Sequence, residues 1–385
     1  MAEILVIHPN LMAKGGGESV CMNVLEALQT DHAVDVLTVT HPDIGELNDY
    51  YATSVTDVGV RTAAGVARIS ERLPKSHFNR LRLSLLNRHV VTNELGSSYD
   101  LLFSTYNELR LDCDSVQYMH HPNFDRDRFP EMGHAYPASV YGVYDAFCDA
   151  VAHSPDGTAA ATTYLANSDW TAEKVTEMLG TRPETVYPPV SVRDIRPTPW
   201  HEKENGIVTV GRLSPEKNVL RNIDVVARLR ERGHDVEYHV LGGAGDAAVP
   251  FTESYGEKVE SHAAQYDFVH LEGEVSRERL VEALSTQKYG LHGMDHEHFG
   301  IAVAELVAGG AIPFVPRGGG QVEIVDHCED VLYDSVEEAV EKMDAVLSDE
   351  TRQREVRARL PDVEERFGRD RFQREIRRIT DAALS

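Results

Sequence analysis

Residues 3–8 (EILVIH) form an unbroken apolar run, and a glycine loop, Gly15-Gly16-Gly17, comes soon after it. Apolar side chains then recur at Val20, Val24, Leu25 and Leu28, and a second apolar run spans residues 34–39. The runs predict strands buried on both faces, and the three- and four-residue spacing between them predicts a helix. A strand–loop–helix–strand unit of this kind implies a parallel sheet with right-handed crossovers. Further strands are predicted at 101–104, 116–120 and 164–167, the last leading into a helix near Asp169 with Ser168 or Asp169 as its cap.

Between residues 187 and 205 the pattern breaks, with Pro188, Pro189, Pro197 and Pro199 among clustered charges, the composition of a linker. Alternation then restarts. Strands are predicted at 207–210, 236–241, 268–271, 289–292 and 312–315, with helices at 219–232, 252–264, 277–284 and 301–308 between them. The expected fold class is α/β: two doubly wound Rossmann-like domains facing across a cleft. The expected boundaries are 1–190, a linker at 191–204, a second domain at 205–365, and a C-terminal helix at 366–385 packing back toward the first.

Composition narrows the partners. The chain has 385 residues, 42% of them hydrophobic, enough for two cores. Its formal net charge of −25 repels phosphate backbones, which argues against general nucleic-acid binding. The cations are 30 Arg and only 8 Lys, and an acidic, lysine-poor surface resembles proteins adapted to molar salt. Cys21, Cys113, Cys148 and Cys328 lie far apart, which excludes a disulfide scaffold and fits a reducing cytoplasm. The start, MAEILVIHPN, lacks the pattern of a signal peptide, and no apolar stretch is long enough to span a bilayer. The expected location is therefore cytoplasmic, with any membrane contact peripheral. One basic island stands out: residues 68–89 hold Arg68, Arg72, Lys75, Arg80, Arg82 and Arg88 beside several leucines, against the single acid Glu71. It reads either as a membrane-facing amphipathic segment or as a helix that packs its leucines inward and pairs its arginines. The ten arginines from 352 to 378 are interleaved with six acids, and predict a solvated, ion-paired helix.

Four segments carry candidate chemistry. In residues 292–310 (HGMDHEHFGIAVAELVAGG), Gly300 and Ile301 open a helix whose free amides suit an anion such as a diphosphate. Glu297 in the loop and Glu305 on the helix are candidate acceptors for sugar hydroxyls. In Gly211-Arg212-Leu213-Ser214-Pro215-Glu216-Lys217, Arg212 and Lys217 can neutralise a diphosphate. Gly15 to Gly17 allows close backbone approach, and His120-His121-Pro122-Asn123 ends a predicted strand. His292, Asp295, His296, Glu297 and His298 lack zinc-site spacing, so no metal site is expected. The loop Gly242-Gly243-Ala244-Gly245 lacks the acidic partner of a dinucleotide site and reads as a tight turn.

Together these segments resemble the retaining, nucleotide-sugar-dependent glycosyltransferases of the two-Rossmann-domain (GT-B) type, the glycosyl transferases group 1. Within it they are most similar to the dolichol-pathway α-1,2-mannosyltransferase branch, in a salt-adapted, haloarchaeal-type member. The resemblance rests on His8-Pro9 with Gly15-Gly16-Gly17-Glu18, Tyr118-Met119-His120-His121-Pro122 and Asn167-Ser168-Asp169-Trp170-Thr171. Tyr187-Pro188-Pro189, the Gly211–Lys217 loop and His292 to Glu305 follow in the same order. It implies that Arg212 and Lys217 bind the donor diphosphate, Glu297 the transferred sugar and Glu305 the ribose. It further implies that the amides of Gly300 and Ile301 meet the diphosphate, that Gly16 and Gly17 close over the donor, and that His120 sits by the anomeric centre. The implied activity is hexosyl transfer with retention to a lipid-linked glycan acceptor, polyprenyl (dolichyl) phosphate-bound, in surface-glycan or protein N-glycan assembly. No metal or other cofactor is required. A small soluble acceptor, or a non-catalytic nucleotide-sugar-binding role, are the alternatives. Two positions depart from the branch: His121 stands where an aromatic residue is usual, and Gly318-Gly319-Gly320-Gln321 replaces a Gly-Gly-Pro turn.

Overall fold

The computed structural model describes residues 1–70, 72, 79–121, 138–152, 161–243 and 254–385. The chain forms two units, one of residues 1–189 with 369–385 and one of residues 190–368. Glu71, Lys75, Pro122, Asn123, Ala244 and Gly245, named above, lie outside the described residues, as does the start, 252–253, of the helix expected at 252–264.

The first unit holds β1 (Glu3–Ile7), β2 (Ala33–Thr38), β3 (Val58–Thr62), β4 (Leu101–Ser104), β5 (Ser115–Met119), β6 (Thr162–Ala166) and β7 (Glu184–Thr185). They pair in parallel in the order β3-β2-β1-β4-β5-β6-β7. Successive strand residues face opposite sides of the sheet. Ile4 and Val6 join a core closed by helices Gly16–Leu28 and Arg369–Ala383, while Leu5 and Ile7 join a second core with helices Ala64–Ser70 and Asn79–Thr92. Covering both faces makes β1 an unbroken apolar run rather than an alternating one. The edge strand β3 exposes Gly59, Arg61 and Thr62, which is why no apolar run announced it.

The basic island is resolved by burial. Helix Asn79–Thr92 sinks Leu83, Leu86 and Val90 into the second core, so its leucines are not a membrane face. Arg80 is 3% exposed and lies 2.6 Å from Asp145 and 3.0 Å from Asp149 of helix Ala138–Ala152. Arg68, Arg72 and Arg88 remain exposed. The single solvated helix expected over the arginine-rich tail is three: Glu350–Arg359, Val363–Phe367 and Arg369–Ala383. Breaks fall at Leu360-Pro361 and at Gly368, where a side chain's Cβ would stand 2.1 Å from the Glu364 carbonyl oxygen. The last helix buries Phe372, Ile376 and Ile379 in the first unit's core, Arg374 and Arg378 stay exposed, and Arg377 donates to the Ala27 carbonyl at 3.0 Å. Among the described residues no helix is long and apolar enough to cross a membrane, and all four cysteines are free.

The second unit holds β8 (Glu204–Val210), β9 (Glu237–Leu241), β10 (Val269–Gly273), β11 (Gln287–Leu291), β12 (Ile312–Pro316) and β13 (Leu332–Tyr333). They pair in parallel in the order β10-β9-β8-β11-β12-β13. The expected linker, 191–204, is built into this unit. Val190 bridges to Gly368, and the buried Lys203 donates to the carbonyls of Ser285, Gln287 and Gly309 at the ends of two helices.

Each sheet reverses its direction of winding once, between β1 and β4 and between β8 and β11. The loops leaving adjacent strands diverge at such a point, and a crevice opens beyond their C-terminal ends. In the second unit the two loops concerned are those carrying Lys217 and Glu297.

Candidate active site

Because β8 and β11 are hydrogen-bonded neighbours, the loops that follow them emerge side by side. Asn218 reaches from the first to the carbonyl of Gly293 at 2.9 Å, and Arg221 lies 2.8 Å from Asp295. Gly293 must be glycine: a Cβ there would stand 2.4 Å from the Lys217 carbonyl oxygen. Gly242, after β9, packs as closely against Gly211, its would-be Cβ 2.0 Å from that residue's carbonyl oxygen. That contact calls for glycine at 242 without a dinucleotide.

This stitching brings Lys217 Nζ to 2.6 Å from Oε2 of Glu297, eighty positions along the chain. His292 Nε2 lies 3.2 Å from the same oxygen. Burial opposes the charge on Glu297, but the neighbouring His292 imidazole and the Lys217 ammonium outweigh it and hold the carboxyl well below the usual carboxylate range. Burial likewise pulls the His292 imidazole below its ordinary value, only partly offset by Glu297. Glu297 is thus a fixed anion and not a general acid. Its carboxylate is engaged by an ammonium, an arrangement that disfavours a metal cation; among the described residues no three His, Cys, Asp or Glu side chains group as metal ligands.

Arg212, on the same loop as Lys217, is exposed, and among the described residues its guanidinium makes no ion pair. Gly300 caps helix Ile301–Ala308 with φ +107°, a conformation that favours glycine, and presents the first-turn amides beyond β11. The Glu297 backbone pairs with Gly319, whose φ is +80°, and Gly320 N–H donates to the Glu297 carbonyl at 2.8 Å. Buried Gln321 contacts the carbonyls of Met294 and Gly318, both at 2.8 Å, so side-chain bonds stiffen the turn that lacks proline. Glu305 lies about one turn along the same helix, its Oε1 2.6 Å from Arg277. Burial pushes the Glu305 carboxyl up, and Arg277 works against that.

In the first unit, β1, β4 and β5 end together. His120 Nε2 lies 3.0 Å from the Thr105 carbonyl oxygen, and the ring packs over Gly17, where a Cβ would stand 3.4 Å from Nε2. Gly16 and Gly17 open helix Gly16–Leu28. Asn107, at φ +61°, accepts from the backbone N–H of His120 at 2.6 Å and of His121 at 3.0 Å. The unit thus gathers Gly16, Gly17 and His120, as the second unit gathers Arg212, Lys217, Glu297 and Gly300.

Sequence reasoning passed over a buried pair beneath the glycine loop. His8 Nε2 lies 3.4 Å from Glu18 Oε1, and Glu18 Oε2 accepts the Gly15 N–H at 2.8 Å. Tyr51 donates to the Gly15 carbonyl at 2.8 Å, so the loop is held from both sides. Burial works against a charged His8, but the Cys21 thiol and the Glu18 carboxylate push it up from 6.5 to about 9. A raised histidine contributes stability that is complete below its unfolded value and lost as pH rises through the folded one. The stability difference between wild type and Glu18→Gln should therefore be large near pH 6.5 and vanish above about pH 9, as followed by urea unfolding. A difference that stays constant across that window contradicts the pairing.

Residues 192–361 match the family Glycosyl transferases group 1. The mouse GDP-Man:Man(3)GlcNAc(2)-PP-Dol α-1,2-mannosyltransferase is 25% identical over 377 residues, covering 82% of this chain and 73% of the mouse protein. The Dictyostelium discoideum protein of the same name is 26% identical over 225 residues, covering 54% of this chain and 45% of its own length. In structure, the chain is similar to Anabaena HepE in complex with UDP and glucose, with a TM-score of 0.67, 14% identity, and coverage of 99% of this chain and 100% of that one. The structural likeness gives the fold: two parallel-sheet α/β domains of the GT-B class. Residues 192–361 are a Glycosyl transferases group 1 domain, and the chain that carries them is a glycosyltransferase.

Proposed function

We propose that the protein transfers a hexose, with retention of anomeric configuration, from a nucleotide-sugar donor to a polyprenyl (dolichyl) phosphate-linked glycan. The observation that carries this reading is the Lys217–Glu297 pair, which sets an ammonium and a permanent carboxylate beside the amides that follow Gly300. An ammonium and helix amides suit a diphosphate, and a carboxylate suits the hydroxyls of the sugar attached to it. Arg212 adds a second cation for the diphosphate, and Glu305 accepts from the ribose. In this reading Gly16 and Gly17 offer amides to the donor and His120 serves at the anomeric carbon.

In the reaction, the acceptor hydroxyl oxygen bonds to the anomeric carbon on the face from which the nucleoside diphosphate departs. The carbon–oxygen bond to the β-phosphate breaks with its electron pair going to that oxygen, which also takes the hydroxyl proton. No separate carboxylate base is needed, and no metal or other cofactor is assigned. Arg212, Lys217 and the helix amides stabilise the charge that grows on the leaving group.

The lipid-linked acceptor is supported by the names of the relatives, which act on a dolichol-linked glycan. A nucleotide-sugar donor is supported by the UDP and glucose in the HepE complex. We place the work at the cytoplasmic membrane surface, with exposed Arg68, Arg72 and Arg88 as the contacts to anionic lipid. The acidic, lysine-poor surface calls for assays in molar salt. The test offers radiolabelled GDP-, UDP- and dTDP-hexoses to a polyprenyl-diphosphate-linked oligosaccharide in anionic liposomes and to free sugars, with product configuration read by NMR. Transfer to the lipid-linked acceptor with the donor's configuration is expected. Inverted product, or transfer to free sugars alone, contradicts the reading.

A further inference from the structure

Arg277 opens helix Arg277–Thr286, and its guanidinium is used in three directions. Nη1 reaches Glu305 Oε1 at 2.6 Å. Nε and Nη2 grip the two carboxylate oxygens of Asp194 at 2.8 Å and 3.0 Å, and Nη2 also donates to the Ser191 carbonyl at 3.0 Å. Asp194 and Ser191 stand just after Val190, where the chain enters the second unit beside Gly368, where it leaves. Glu305 therefore hangs from a planar fork whose other side is fixed to backbone. The ion pair engages Oε1 and leaves Oε2 as the oxygen available to a ligand.

We infer that Arg277 is the positioning residue of the donor site, holding the Glu305 carboxylate as an acceptor for ribose hydroxyls and anchoring it to residues 191–194. The inference rests on the proposed role of Glu305 above. Geometry favours arginine here, since its planar fork grips both Asp194 oxygens while Nη1 reaches Glu305, and a lysine ammonium, a point charge, lacks that fork. Electrostatics agrees. The charged groups facing Glu305 are Arg277 and Asp194, of which only Arg277 opposes protonation of this buried carboxyl. Without it, burial and Asp194 act together, and the carboxyl becomes neutral at a higher pH.

The experiment compares binding of a nucleoside diphosphate with that of its 2′,3′-dideoxy analogue by calorimetry, using whichever of GDP and UDP binds the wild type more tightly. Wild type should prefer the ribose form by about tenfold or more, since a site built to bond hydroxyls leaves polar groups unpaired without them. Arg277→Met should cut that preference to about threefold or less, with Arg277→Lys between, while affinity for the dideoxy form stays within about threefold of wild type. The deficit of Arg277→Met should shrink as pH rises, because the carboxyl regains its charge; a merely structural loss would not follow pH. An Arg277→Met protein that folds and keeps the full preference overturns the inference. If that variant does not fold, Asp194→Asn takes its place: it keeps the Glu305 contact and loses part of the anchor, so full preference in it also overturns the inference. Glu305→Gln separates the two layers. A kept preference there removes the ribose reading and the inference with it, whereas a preference lost in Glu305→Gln but kept in Arg277→Met refutes the inference alone.

Discussion

Lys217→Ala is expected to lower kcat/KM by about 10²- to 10³-fold, the size seen when a preorganised group facing developing charge is removed. Two effects combine. The departing diphosphate loses the ammonium of the β8 loop, and Arg212, exposed on the same loop, replaces only part of it. Glu297 also loses the partner 2.6 Å from its Oε2 and becomes a buried carboxylate next to an arriving diphosphate. Its carboxyl pKa must then rise, because one of the influences holding it down is gone. The acid limb of the kcat/KM profile should accordingly move to higher pH in the variant. Steady-state transfer across pH checks both parts. A loss below about tenfold with an unmoved acid limb would show that Lys217 faces something other than the leaving group.

Glu297→Gln is nearly isosteric and should separate sugar recognition from nucleotide recognition. The amide keeps an oxygen toward Lys217 and His292 but has lost the charge that orders both. A fall in kcat of about 10²- to 10³-fold is expected, with nucleoside diphosphate affinity within about threefold of wild type. Because Glu297 is ionised throughout the neutral range, the wild-type profile should show no titration of this group between pH 5 and 8. Equal losses of nucleotide affinity and of turnover would instead make Glu297 a support for the loop.

What the sequence reveals, and what it hides, follow from the range over which each signal acts. β1 and β4 are covered on both faces, so their apolar runs stand out locally, as Ile4 to Ile7 and Leu101 to Phe103 do. Edge strand β3 and β7 leave residues exposed, and β13, though buried, is only two residues long, so none leaves such a run. Helix Asn79–Thr92 misleads for a related reason: Arg80 is internal because Asp145 and Asp149 meet it, and those partners come from a helix more than sixty positions away. At the site, motif resemblance picks out Arg212, Lys217, Glu297 and Gly300 as residue types. Their assembly depends on β8 lying beside β11, a fact of topology. The grip of Glu18 on Gly15 is within a turn and was in principle legible as an acid after a glycine loop. The links from Arg277 to Glu305 and Asp194 were not, because they span 28 and 83 positions.

The central claim, that the loops after β8 and β11 together form the donor site, is tested most directly by calorimetric titration of three proteins with two ligands. Wild type, Lys217→Ala and Glu297→Gln are each titrated with a nucleoside diphosphate and with the matching nucleotide-hexose at molar salt. Lys217→Ala should weaken both ligands by about tenfold or more, while Glu297→Gln should abolish only the extra affinity contributed by the hexose. Wild-type affinity for both ligands in Lys217→Ala would contradict the claim.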